Sequence, residues 1–188
     1  MIEIYNKNCN FCKEAFLNIG DKTNYGGIVI YKIGNSFKDS WFATLSPKTG
    51  GDQEKDFSIQ LMPFLHIRYF SEINLYPELA KNYGIAFSRL CYAVGKIIGD
   101  QDSNSSRKIP IGIYGKCKHE DEHIHFKIFP YRGNIGQPFT VDSSFEKKEI
   151  YLDPSTQEKF VKMTPIKKIN ISEKKILQLS KQFMSLLK

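Results

Sequence analysis

The stretch His123-Ile124-His125-Phe126-Lys127-Ile128-Phe129-Pro130 alternates basic and apolar side chains from its first residue to Ile128. A period of two is typical of a β-strand, whose side chains point to opposite faces in turn. The pattern predicts that His123, His125 and Lys127 share one face, while the apolar residues between them pack into a core. Two imidazoles on a rigid strand suit phosphate chemistry or metal binding, and a surface strand with incidental histidines is the alternative.

Length and composition are those of a single globular domain. The chain has 188 residues, of which 41% are hydrophobic and 13% aromatic, so it can bury a core without disulfides. No apolar run approaches the roughly 18 residues of a membrane span. The first residues, Met1 to Asn6, lack the basic flank and apolar stretch of a signal peptide. We therefore expect a cytoplasmic protein with no membrane partner.

Two of the four cysteines, Cys9 and Cys12, form a CxxC pair. In a reducing compartment this spacing favours metal binding or redox use over a disulfide. An unligated surface pair is the alternative. Cys91 and Cys117 are isolated in the sequence and are interpreted as structural residues.

The remaining patterns predict an α+β fold. Residues 28–33 and 40–45 are typical of a β-hairpin, and residues 57–61 and 109–115 of two further strands. Apolar residues spaced by three and four predict an amphipathic helix from Pro77 to Ile98, which ends at a glycine. We expect this helix to lie across one face of an antiparallel sheet.

The chain is predicted to divide into a core, residues 1–134, and a C-terminal extension packed on it, residues 135–188. The extension contains short apolar runs and a final helix capped by Ser172. Between Lys147 and Lys188 there are ten lysines and four acidic residues, so most of the net charge of +7 lies there. Such a face attracts polyanions such as nucleic acid, and a solvated lysine surface is the alternative.

Several of these features resemble the histidine triad (HIT) superfamily in its zinc-bearing form. The CxxC pair, the strand that ends Pro63-Phe64-Leu65-His66, the long helix and the final HxHxK strand follow one another in the order found in that superfamily. The resemblance covers roughly residues 8 to 132. It implies a HIT-like antiparallel sheet with a long packed helix, and an assembly that is often a homodimer.

The resemblance implies that His125, the middle histidine, is a nucleophile. Its neutral imidazole would attack the α-phosphorus of a nucleotide or dinucleotide substrate and carry the nucleotidyl group until water or another acceptor takes it. The implied activity is that of a nucleotide hydrolase or nucleotidyltransferase. The alternative is a non-catalytic, zinc-stabilised nucleotide- or RNA-binding protein with a degenerate site, which the lysine-rich extension would suit.

The resemblance also implies a structural zinc ion. This ion would tie the N-terminal knuckle, which is the segment that contains Cys9 and Cys12, to the sheet beside His125. A Cys2His2 tetrahedron is a closed arrangement with no vacant position for water. The implied ligands are Cys9, Cys12, His66 and His123. His119 is an alternative ligand, and otherwise a weak candidate for a proton donor or a phosphate contact.

Lys127 departs from the pattern of the superfamily, in which most hydrolases have a third histidine and transferases often a glutamine. A lysine stabilises phosphate oxygens as a point charge, so Lys127 is predicted to be a catalytic and phosphate-binding residue. Its reference pKa of about 10.4 makes it a poor proton shuttle near neutral pH. The usual asparagine falls near Gly112, and the usual serine or threonine is replaced by the acidic residues 120–122. Leaving-group activation therefore lacks its usual residues.

Overall fold

The computed structural model describes residues 4–49, 54–101, 111–116, 123–131, 145–165 and 169–188. Cys117, His119, the acidic residues 120–122 and all of residues 132–144 are outside these ranges. The elements, in chain order, are α1 (Asn10–Glu14), β1 (Ile28–Ile33), β2 (Trp41–Leu45), β3 (Lys48–Thr49), β4 (Ile59–Pro63), a 3-10 helix (Phe70–Leu75), α2 (Pro77–Gln101), β5 (Ile111–Lys116), β6 (His125–Pro130), β7 (Phe145–Leu152), β8 (Lys159–Pro165), β9 (Ile169–Asn170) and α3 (Glu173–Leu186).

A five-stranded antiparallel sheet in the order β1-β2-β4-β6-β5 forms the centre of the molecule. Helix α2 packs against this sheet, and the indole N–H of Trp41 on β2 donates to the carbonyl of Leu79 on α2 at 2.8 Å. The predicted α+β class and the β1–β2 hairpin are confirmed. Within the described ranges no helix has the length and apolar character of a membrane span.

Several predicted boundaries are wrong, and the strand predicted at residues 57–61 is β4, Ile59–Pro63. Helix α2 continues through Gly99 to Gln101, because a glycine inside a helix costs only about 1 kcal/mol relative to alanine. Strand β6 begins at His125, and His123 precedes it. The backbone N–H of Ile124 donates at 2.7 Å to the carbonyl of Ile67, in the segment after β4, instead of to a neighbouring strand.

The two faces of the central sheet differ. Ile124, Phe126 and Ile128 belong to the large core between the sheet and α2, as the alternation predicts. A second, smaller cluster covers one end of the opposite face, and its buried members are Cys9, Phe11, Cys12, Ala15, Phe42 and Met62. This smaller cluster positions the N-terminal knuckle against the sheet.

The end of the chain contributes to the large core. Strand β9 pairs with β3, and α3 packs on β1 and α2. The predicted cap is confirmed, since the Ser172 side chain accepts a hydrogen bond from the Lys175 backbone N–H at 3.2 Å. Strands β7 and β8 form a separate antiparallel hairpin. The division of the chain at residue 134 stays a prediction.

Replacing Phe183 by alanine tests the contribution of α3. The Phe183 ring is fully buried, with its centroid 5.5 Å from that of Phe57. Removal leaves a cavity, so the free energy of unfolding should fall by about 3–5 kcal/mol, measured by urea denaturation with Trp41 fluorescence. Gln178→Ala, at an exposed position of the same helix, is the matched control and should change it by less than about 0.5 kcal/mol. Equal effects would contradict the placement of α3 in the core.

Candidate metal centre

Four potential metal ligands from three distant segments meet at one end of the central sheet. Cys9 and Cys12 come from the start of α1, His66 follows β4, and His123 precedes β6. All four side chains are buried, and one ligand atom from each lies within 4.8 Å of the other three. The predicted ligands thus form one buried group that can hold a metal ion.

The distances within this group match a tetrahedral ion. Cys12 Sγ lies 3.4 Å from His66 Nδ1 and 3.6 Å from His123 Nδ1, and Cys9 Sγ lies 4.0 Å from His123 Nδ1. Zinc bonds of about 2.3 Å to sulfur and 2.0–2.1 Å to nitrogen, at tetrahedral angles, place sulfur and nitrogen ligands about 3.6 Å apart. One thiol proton cannot serve two imidazole nitrogens at once, whereas one cation serves all four ligands.

Backbone hydrogen bonds bring the segments together. The N–H of His66 donates to the carbonyl of Ile4 at 3.1 Å, which holds the N-terminal segment against the residues after β4. The bond from Ile124 to Ile67 places His123 beside His66. The knuckle itself is closed by the N–H of Cys9, which donates to the carbonyl of Asn6 at 3.0 Å. These local bonds arrange the four ligands around a common centre.

The electrostatics of the cluster favour a thiolate. Hydrogen bonding with Cys12, supported by His123 and opposed by burial, lowers the pKa of Cys9 to about 3. The thiolate is the form of cysteine that binds metals. Two thiolates and two neutral imidazoles balance the charge of a divalent ion, so this donor set fits zinc chemically.

Glu14 is a buried acid beside this cluster that the sequence patterns did not reveal. Its side chain is 3% exposed, and its Oε1 has no hydrogen-bond partner in the part of the chain that the structure describes. Burial, with a smaller contribution from the charge of Cys9, raises the pKa of Glu14 to about 7. The sequence offered one indication that Glu14 lies near the cluster: it follows Cys12 by two residues on the same short helix.

His125 lies next to the cluster but is not part of it. Its side chain is only 2% exposed, and the Phe11 ring lies over it with centroids 4.9 Å apart. The same Phe11 ring contacts His123 at 5.4 Å. The expectation of an accessible imidazole needs correction for His125, whose ring is buried against Phe11, whereas His123 lies in the group that could hold a metal ion.

The tautomer of His125 follows from its surroundings. Its Nδ1 lies 3.4 Å from the backbone carbonyl oxygen of His123. A carbonyl oxygen only accepts hydrogen bonds, so this contact favours the neutral tautomer of His125 with its proton on Nδ1 and its lone pair on Nε2. This is the tautomer required for attack by Nε2.

Lys127 is half-buried, one strand repeat beyond His125 on β6. In the sheet register it lies between Gln60 on β4 and Tyr114 on β5. His119, the weak candidate for a phosphate contact, is outside the described residues. The structure therefore places His125 and Lys127 on one strand beside the metal ligands, and their chemical roles stay predictions.

No family model, curated protein or solved structure matches this chain in the three comparisons with known proteins. The proposed relationship to the histidine triad superfamily accordingly depends on the residues and motifs quoted above.

Substitution of Cys12 tests the metal centre. The protein should bind about one zinc ion per chain, and Cys12→Ser should lose most of it because a tetrahedral site then lacks one strong ligand. Metal content by inductively coupled plasma mass spectrometry, with thermal unfolding in parallel, gives the result. Cys91→Ser is the matched control, since Cys91 is a half-buried cysteine on α2, which carries none of the four ligands. Equal zinc content in both variants would contradict the proposed ligand set.

Proposed function

We propose that this protein is a nucleotide hydrolase or nucleotidyltransferase that acts at the α-phosphate through a covalent nucleotidyl-histidine on His125. The observation that carries the proposal is the contact between His125 Nδ1 and the carbonyl of His123. That contact leaves the lone pair on Nε2 and orients the ring from a residue that is itself a metal ligand. A fixed tautomer and a fixed ring are what nucleophilic catalysis by histidine needs.

In the first step, Nε2 of His125 attacks the α-phosphorus, and the bond from phosphorus to the leaving-group oxygen or nitrogen breaks. The leaving group departs with the bonding electron pair, and an amine leaving group takes a proton from solvent. The ring becomes cationic as the new bond forms, and the carbonyl of His123 stabilises the proton on Nδ1. In the second step, water or another acceptor attacks the same phosphorus, loses its proton to solvent and releases neutral His125 with its lone pair on Nε2. Lys127, on the same strand, would stabilise the negative phosphate oxygens that develop in both steps.

The donor set of Cys9, Cys12, His66 and His123 would hold zinc in a structural role. A closed Cys2His2 site supplies a cross-link and no exchangeable position for a substrate. Its contribution to the reaction would be mechanical, because it holds the knuckle and the start of β6 in one arrangement around His125.

A second function is favoured by one specific observation. His125 is 2% exposed and packs against Phe11, so a nucleotide reaches Nε2 only when the side chains around it move. If these side chains stay in place, the protein is a non-catalytic nucleotide- or RNA-binding module stabilised by zinc. The lysine-rich extension, in which Lys159, Lys174, Lys181 and Lys188 are exposed, would then supply the contacts to phosphates.

Nucleoside monophosphate release distinguishes the two functions. A dinucleoside polyphosphate, a nucleoside phosphoramidate and a nucleotide sugar with phosphate as acceptor are offered to the native chain and to His125→Ala. We expect release to fall by at least about 100-fold in the variant, because no carrier for the nucleotidyl group remains. Gln178→Ala, at an exposed position of α3, is the control and should keep the native rate. Label from an α-³²P nucleotide should remain on denatured native protein and be absent from His125→Ala.

Absence of release from every substrate, with zinc bound and the protein folded, would contradict the enzymatic proposal. A salt-dependent affinity for single-stranded nucleic acid would then support the binding function.

Replacing Lys127 by methionine removes the charge and keeps a chain of similar length. We expect kcat/KM to fall by about 10²-fold, because stabilisation of the phosphate oxygens in the transition state is lost. Lys127→Arg should recover part of the rate, since it restores the charge. Lys174→Met, at an exposed position of α3, is the control. An unchanged kcat/KM in Lys127→Met would show that Lys127 has no catalytic role.

A further inference from the structure

The strands of the central sheet carry basic residues on β1, β5 and β6 and no acidic residue on any strand. These basic residues are Lys32, Lys116, His125 and Lys127. On β6, His125 and Lys127 alternate with the core residues Phe126 and Ile128, so they belong to the face opposite α2. An anion that approaches this face meets no like charge from the strands themselves.

A row of polar residues crosses this face beside His125. Thr44 on β2 pairs with Gln60 on β4, and Gln60 pairs with Lys127 on β6. Directly opposed residues of antiparallel strands have Cβ atoms about 4.5–5.5 Å apart, so the three side chains are neighbours. Thr44 is buried, whereas Gln60 and Lys127 are half-buried. Both half-buried residues lie on interior strands and are partly accessible to solvent on the face opposite α2.

Ser58 adds an independent observation. It precedes β4 by one residue and is two residues from Gln60, so extended backbone places both side chains on the same face. Its Oγ is buried, and within the described residues it has no hydrogen-bond partner. Buried hydroxyl groups are normally hydrogen-bonded, and one without a partner calls for an explanation such as a bound ligand.

We propose that Gln60, Ser58 and Lys127 form a subsite for the phosphate groups of the leaving group, next to the α-phosphate attacked by His125. The inference rests on the proposed function. Lys127 lies about 7 Å along β6 from His125, a span of one or two phosphate units of a polyphosphate chain. The lysine would neutralise charge, while the amide N–H groups of Gln60 and the hydroxyl of Ser58 would donate to phosphate oxygens.

The subsite narrows the substrate class. A leaving group that is itself a phosphate or polyphosphate gains these contacts, as in dinucleoside polyphosphates. A phosphoramidate with a simple amine leaving group does not reach the row, so it should be the poorer substrate.

Gln60→Leu tests the subsite by comparing substrates. The substitution keeps approximate size and removes the amide, and kcat/KM is measured for a dinucleoside polyphosphate and for a nucleoside phosphoramidate. We expect a loss of at least about tenfold on the polyphosphate and less than about threefold on the phosphoramidate. Gln178→Leu on α3 is the matched control. An equal loss on both substrates, or no loss on either, would overturn the proposal.

Direct binding separates the failure of the subsite from the failure of the enzymatic proposal. Inorganic tripolyphosphate is titrated into zinc-loaded His125→Ala by calorimetry, then into His125→Ala carrying Ser58→Ala or Gln60→Leu as well. We expect binding to His125→Ala that weakens about fivefold or more in either double variant.

Ser58→Ala should fold with an unchanged melting temperature, because its hydroxyl has no partner in the described chain. It keeps the test decisive if Gln60→Leu does not fold. Binding that depends on Ser58 would support the subsite even if no substrate turns over, and absence of tripolyphosphate binding to His125→Ala would overturn it.

Discussion

The convergence of two thiols and two imidazoles on one point is the constraint on which this end of the molecule depends. Cys12 Sγ lies within 3.6 Å of imidazole nitrogens that are 54 and 111 positions away in the chain. The apolar cluster around them is small, so packing alone gives little area to hold the knuckle on the sheet. Burial of four polar ligands without an ion would lower the free energy of unfolding. Coordination of an ion would remove this penalty and cross-link the three segments.

Two contacts connect the ligand group to His125. The carbonyl of His123, a residue whose side chain belongs to the ligand group, lies 3.4 Å from Nδ1 of His125 and favours the tautomer protonated at that atom. Phe11, between the two cysteines, lies over the rings of His123 and His125. One knuckle therefore orients the proposed nucleophile and also covers it. A movement of Phe11 that leaves the four ligands in place would uncover His125 without loosening its ring.

Local patterns in the sequence predicted much of this structure. Alternation in β6 separated the core residue Phe126 from His125. The CxxC spacing indicated metal or redox use of Cys9 and Cys12, and the resemblance to the histidine triad superfamily implied the full ligand group. The start of β6 was missed because Ile124 bonds to Ile67, which is remote in sequence. The cover over His125 and the burial of Glu14 were missed for the same reason. Each depends on where the knuckle docks, and no periodicity within α1 encodes that position.

The metal-ligand group and the proposed phosphate site around His125 and Lys127 would differ in net charge. Two thiolates offset a divalent ion, so the ligand group would present little net charge to an approaching nucleotide. Phe11 separates this group from solvent at His125. In the proposed function, attraction of a phosphate would come from the strands, which carry basic residues and no acidic ones, and from the lysine-rich extension. Lys127 is the basic strand residue nearest in sequence to His125. A lysine in that position would supply the charge that a neutral histidine there would lack, which gives a physical reason for the difference from the superfamily that the sequence resembles.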